Sequence, residues 1–151
     1  MLTSFLRWLT PAIVLGTGVM GSQLPSNAQC ESSYNPIPFS SAGEMTDTLT
    51  EQDIPTGQGG FARDYRIEFN AGDQVAIDVL SENFDTVVTL MGRDGSMVAE
   101  NDDAPSTPEA TTNSLLFTRI RKSGSYIIRV RSFGEATGGQ FTLRVTRLRP
   151  V

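Results

Sequence analysis

The chain has 151 residues, 12 of them basic and 17 acidic, for a formal charge of −5, with no histidine and one cysteine. One domain with a single continuous core fits that length. Lacking histidine, the chain lacks the usual general base and the commonest metal ligand, which weighs against most hydrolase mechanisms. An acidic chain also sets nucleic-acid binding aside, and Cys30 alone can form no intramolecular disulfide, so the fold must rest on its apolar core.

Residues 1–28 have the layout of a secretory signal peptide. Arg7 precedes an apolar run through Trp8, Leu9, Ala12, Ile13, Val14, Leu15, Val19 and Met20, and Ser26-Asn27-Ala28 supplies the small residues of a cleavage site. A retained anchor is the alternative, but the run falls short of the ~20 residues a spanning helix needs and is broken by Pro11, Gly16, Gly18 and Gly21. Lipidation at Cys30 is disfavoured by Gln29, where a small residue is expected. An exported protein, periplasmic or extracellular, with no stable membrane span after cleavage is therefore expected. Charge is split along the chain. From Gln29 to Thr118 sixteen acids stand against Arg63, Arg66 and Arg93, whereas from Arg119 onward eight bases stand against Glu135.

Residues 29–43, with Pro36 and Pro38 among serines, read as an extended arm leading to a domain over 44–151. Glu44 to Thr50 alternates weakly as a first strand. Tyr65, Ile67 and Phe69 then share one face of a strand, and after Ala71-Gly72-Asp73 the pattern repeats in Val75, Ile77 and Val79, which reads as a hairpin. Val87 to Met91 and Met97 to Ala99 flank Asp94-Gly95, a strong hairpin signal that predicts a type I′ turn. Strands over 115–120, 126–130 and 141–145 follow, with Phe117 placed among the inward residues. About seven to eight short strands without a helical period predict an all-β fold, an antiparallel, jelly-roll-like β-sandwich, with an open barrel as runner-up.

The ordered series Asp64-Tyr65-Arg66-Ile67-Glu68-Phe69, Ala71-Gly72-Asp73-Gln74-Val75, Phe84-Asp85-Thr86, Asp94-Gly95, Glu100-Asn101-Asp102-Asp103, Asn113-Ser114, Ser123 to Val130 and Gly138 to Leu143 resembles the bacterial pre-peptidase C-terminal domain. The likeness spans about Glu44 to Leu148. It implies a small sandwich of exported bacterial proteins, a non-catalytic accessory module whose relatives bind substrate and sometimes calcium. This chain carries no peptidase, and Ala104 to Thr112 forms a longer, Pro- and Thr-rich loop.

Two clusters are candidate sites. Asp85, Asn101, Asp102 and Asp103 could supply oxygen ligands to Ca2+, or they could cap turns and lie solvated at a loop mouth. The arginines Arg119, Arg121, Arg129, Arg131, Arg144, Arg147 and Arg149, of which Arg129 and Arg131 stand two apart on one strand face, could meet carboxylates or phosphates of a partner, or pair across strands with Glu68, Asp78 and neighbouring acids. Arg119 and Arg121 share the same spacing. No catalytic residues are expected: Asp102 and Asp103 are adjacent and point to opposite faces of a strand, and with Lys122 as the single lysine a serine has little to activate it. The expected function is a non-enzymatic binding or accessory module contacting a protein or glycan. A calcium-stabilised structural or assembly component of the cell envelope is the alternative.

Overall fold

A computed structural model describes residues 34–40, 43–104, 111–136 and 138–148. The expected signal peptide, Cys30, Arg149 and most of the 104–112 loop lie outside the described residues. The described chain folds as an all-β sandwich of ten strands without helix: β1 (Ile37–Pro38), β2 (Glu44–Leu49), β3 (Ile54–Pro55), β4 (Phe61–Phe69), β5 (Gln74–Leu80), β6 (Thr86–Gly92), β7 (Met97–Asn101), β8 (Ser114–Arg119), β9 (Gly124–Ser132) and β10 (Gly139–Leu148). Among the described residues, no helix is long and apolar enough to cross a membrane.

The first sheet runs β1-β4-β9-β6-β7, with β3 also paired to β4, and the second runs β2-β10-β5-β8. All pairings are antiparallel except that of β1, which lies parallel to β4 with Ile37 opposite Tyr65. Between the sheets lies a core of Tyr65, Phe69, Val88, Leu90, Ile128 and Val130 from one side and Leu49, Val75, Ile77, Val79, Leu116, Phe141 and Leu143 from the other. Phe141 sits edge-on to both Tyr65 and Phe84, at centroid distances of 6.3 and 6.2 Å, the arrangement that ring quadrupoles favour.

Arg63 and Asp47 latch the two sheets together at their margin. The Arg63 guanidinium donates to Asp47 Oδ1 (2.6 Å) and to both oxygens of Asp53 (2.7 and 3.0 Å), while the Tyr65 hydroxyl donates to Asp47 Oδ2 (2.8 Å). Burial works to raise the Asp47 pKa, but hydrogen bonds from the Thr48 N–H, Tyr65 and Arg63 outweigh it and hold the carboxyl below its ordinary range.

Three local expectations are corrected. First, the turn at Ala71-Gly72-Asp73 does not close a hairpin: β4 pairs with β9 and β5 with β8 and β10, so the chain crosses from one sheet to the other there. Two successive strands with one apolar face each can lie side by side or face to face, and alternation alone does not tell these apart. Second, β6 and β7 do form a hairpin, but Asp94 has no positive φ. The Gly95 N–H donates to Gly92 O (3.0 Å) and the Gly92 N–H to Ser96 O (2.8 Å), and Gly95 alone is left-handed, at φ +80°. This is a type I turn followed by a bulge; farther along the hairpin the register shifts again between Leu90 and Met91, which face Ala99 and Met97 and leave Val98 as the extra residue. Third, Phe117 points outward, 61% exposed. Leu115-Leu116-Phe117 is a continuous apolar run with no alternation to read, and pairing of Leu116 with Ile77 sets Leu116 into the core instead.

Candidate functional site

Register explains the fate of the strand arginines. On the outer face of the first sheet, Arg129 lies opposite Asp64 of β4 and Thr89 of β6, and Arg131 lies opposite Ala62 and Val87. Asp64 is buried although it faces outward. Arg129 grips it with two parallel bonds, Nε to Oδ1 and NH2 to Oδ2, both 2.7 Å, a bidentate geometry that suits a planar guanidinium. The Tyr34 hydroxyl, reaching over from the segment before β1, donates to the same Oδ2. Burial first, then the bond to Asp64 and its charge, push the Tyr34 hydroxyl up to about 12. Arg131 is held more loosely, 3.7 Å from Glu100 Oε1, while Glu100 Oε2 accepts the Thr89 hydroxyl at 2.6 Å. Both arginines line a shallow groove of about 270 Å³ beside Ile54, Pro55 and Glu100. The structure thus brings the two predicted partner-binding residues together, with Arg129 already engaged inside the molecule. Their acids are Asp64 and Glu100, while Asp78 lies across from Arg144.

The acidic candidates gather at one end of the sandwich, where β5 passes to β6 and β7 leaves for β8. Asp85, Asp102 and Asp103 are exposed there. Burial, followed by the like charges of Asp103 and Asp102, pushes the Asp85 carboxyl above its ordinary range. Asn101 is used locally: its amide donates to Asp103 O (2.6 Å) and Leu115 O (2.7 Å), and its Oδ1 accepts the Asp102 N–H (3.1 Å). Among the described residues, no group of three or more acidic, Cys or His side chains is disposed to hold a metal ion.

At the opposite end the charge is reversed. The β4–β5 turn, the β6–β7 turn and the β8–β9 turn meet around an open groove of about 1230 Å³ lined by Arg93, Arg119, Arg121 and Lys122, with Met97 and Val98 at its side. Asp94 is the acid in this lining. Its Oδ1 is already bonded to the Ser96 hydroxyl (2.6 Å) and N–H (3.0 Å). Hydrogen bonds from Ser96, with a smaller contribution from the Lys122 charge, lower the Asp94 pKa. The side chains of Arg93, Arg119 and Arg121 make no ion pair or hydrogen bond among the described residues. Met97 and Val98 are 64% and 42% exposed. Strand spacing pairs Arg119 with Arg121 but leaves Arg93 and Lys122 out, because both sit in turns. The available signal was connectivity: with short connections, alternate turns of a sandwich fall at the same end, so the turns at 70–73, 92–96 and 120–124 belong together.

No protein-family model matches this chain, and no curated protein matches it. Among solved structures, it is similar to the pre-peptidase C-terminal domain of a collagenase from Bacillus anthracis, at 16% identity and a TM-score of 0.50, over 74% of this chain and 93% of that one. It is also similar to PliG from Aeromonas hydrophila, a periplasmic lysozyme inhibitor of g-type lysozyme, at 12% identity and a TM-score of 0.52, over 76% of this chain and 96% of that one. At such identities the likeness is one of fold, and the fold is pre-peptidase C-terminal-like.

Proposed function

We propose that the chain is an exported, non-catalytic binding module, a stand-alone pre-peptidase C-terminal-like domain that contacts its partner through the loops at one end of the sandwich. The observation that carries this reading is the basic end groove. Three of its arginines are unpaired among the described residues, whereas Arg63, Arg129, Arg131, Arg144 and Arg147 of the sheet strands have acids beside them, Arg66 of β4 being the other sheet arginine that does not. Unspent planar donors beside exposed apolar side chains suit recognition better than architecture. A protein partner is favoured over a glycan for two reasons. PliG, of like fold, is by its name an inhibitor of another protein, and the one aromatic side chain lining the groove, Tyr126, is buried and offers no ring for a sugar to stack on.

The test is retention of periplasmic and culture-fluid proteins on the immobilised protein, run beside immobilised glycans. One protein recovered in fixed ratio supports the reading, and retention on glycan without any protein partner overturns its choice of a protein. The alternative, a calcium-stabilised envelope component, draws support from the acidic charge of Asp102 and Asp103 beside Asp85, which a bound cation would offset. It requires the unfolding midpoint to rise with calcium, fall with chelator, and stop responding in Asp102→Ala/Asp103→Ala.

A further inference from the structure

The basic groove lies between two sheet edges. β7 ends the first sheet and β8 ends the second. The two edges are tied where the Asn101 amide donates to Leu115 O. From that tie, β7 leads back to Met97 and Val98 and β8 leads on to Arg119, and these residues line one groove. Among the described residues, only one side of the β7 backbone is paired, to β6, and the strand carries no proline. Its other side is therefore a row of N–H and C=O groups of the kind that accepts an added strand. Over the same groove stand Arg93, Arg119, Arg121 and Lys122, so the charge that a guest must bring is negative. The two exposed apolar side chains, Met97 and Val98, call for an apolar side chain on the guest as well.

Resting on the reading that the chain binds a protein, we propose that this groove docks an extended, acidic segment of the partner, added as a strand along β7, with its carboxylates toward the arginines and its alternate apolar side chains on the face that carries one of the two exposed apolar residues, Met97 or Val98. Side chains of an extended segment alternate between two directions, which allows one short peptide to satisfy both demands. A carboxylate glycan would satisfy the first and neither the second nor the backbone edge.

The experiment uses the purified protein and three probes: a fluorescent decapeptide of alternating Glu and Val, a decapeptide of the same composition with all Glu preceding all Val, and polygalacturonate. The alternating peptide is expected to bind tightest, to weaken steeply with salt, and to weaken by about tenfold or more in Arg119→Ala/Arg121→Ala. Arg119→Lys/Arg121→Lys should recover part of the loss. Amide exchange read by NMR should slow at Met97 to Asn101 when that peptide binds, a signature that charge attraction alone would not produce. Equal binding of the three probes, or tighter binding of polygalacturonate, overturns the proposal. So does self-association in sedimentation that the double Ala variant abolishes, because the groove is then filled by a second copy. If a natural protein partner is retained equally by the wild type and the double Ala variant, the groove inference fails while the binding-module reading stands.

Discussion

Arg129 and Arg119 are both strand arginines in one small domain, yet they live under opposite conditions. Arg129 lies in mid-sheet, where cross-strand register sets a buried carboxylate against it and Tyr34 closes the network. Arg119 lies at the last position of an edge strand, and its cross-strand neighbour is Gln74. Spacing along a strand therefore does not by itself classify a charge on it. What stands across from it, and whether anything stands there at all, decides whether it is structural or available.

The comparison breaks most easily at Asp64. Asp64→Ala leaves Tyr34 and Arg129 without their shared acceptor, and breaking such a pair is expected to cost about 3 kcal/mol, read as a lowered denaturant midpoint with unchanged slope. Next in size is Tyr34→Phe, which removes one bond to Asp64 and is expected to cost about 1 kcal/mol. This effect carries a pH signature. Because the folded-state hydroxyl is raised to about 12, its contribution is complete below the ordinary tyrosine value near pH 10 and is lost as pH climbs through the raised one. The stability gap between wild type and Tyr34→Phe should therefore close between about pH 10 and 12. If it stays constant across that window, the hydroxyl is not what the wild type gains.

Arg131→Ala is expected to cost about 0.5 kcal/mol, since its acid lies 3.7 Å away and both side chains are partly exposed. Smallest of all, Arg119→Ala/Arg121→Ala is expected to leave the midpoint within about 0.5 kcal/mol of wild type. A loss comparable to that of Asp64→Ala would show that the end arginines are structural after all, and the contrast between the two regions would vanish.

Much of the architecture was legible in the residues. The alternation of Tyr65, Ile67, Phe69 and of Val75, Ile77, Val79 marked strands and their inward faces correctly, because a half-buried strand has no other way to hide its apolar side chains. What alternation does not carry is partnership. It could not say that β4 and β5 belong to different sheets, and in Leu115-Leu116-Phe117, where alternation fails, it could not choose the inward residue. The Asp94-Gly95 pair located a turn, but the turn type depended on the bulge beside it. For the sites the same limit held. Arg129 and Arg131 were placed on one face as spacing requires, but the acid that engages Arg129 comes from a strand 65 residues away. The basic groove collects Arg93 from one turn and Lys122 from another, a neighbourhood made by topology and invisible to any local window.

Proline stands along one border of the first sheet. On the β4 side, the sheet is bordered by β1 and β3, whose pairs with Arg66 and Phe61 are made by Pro38 and Pro55, residues with no N–H to offer a further neighbour. The β7 border has no such plug. In copies of this chain, β7 of one molecule cannot pair freely with the proline-bearing border of the next, so head-to-tail stacking of the sheets through an edge kept for recognition is disfavoured.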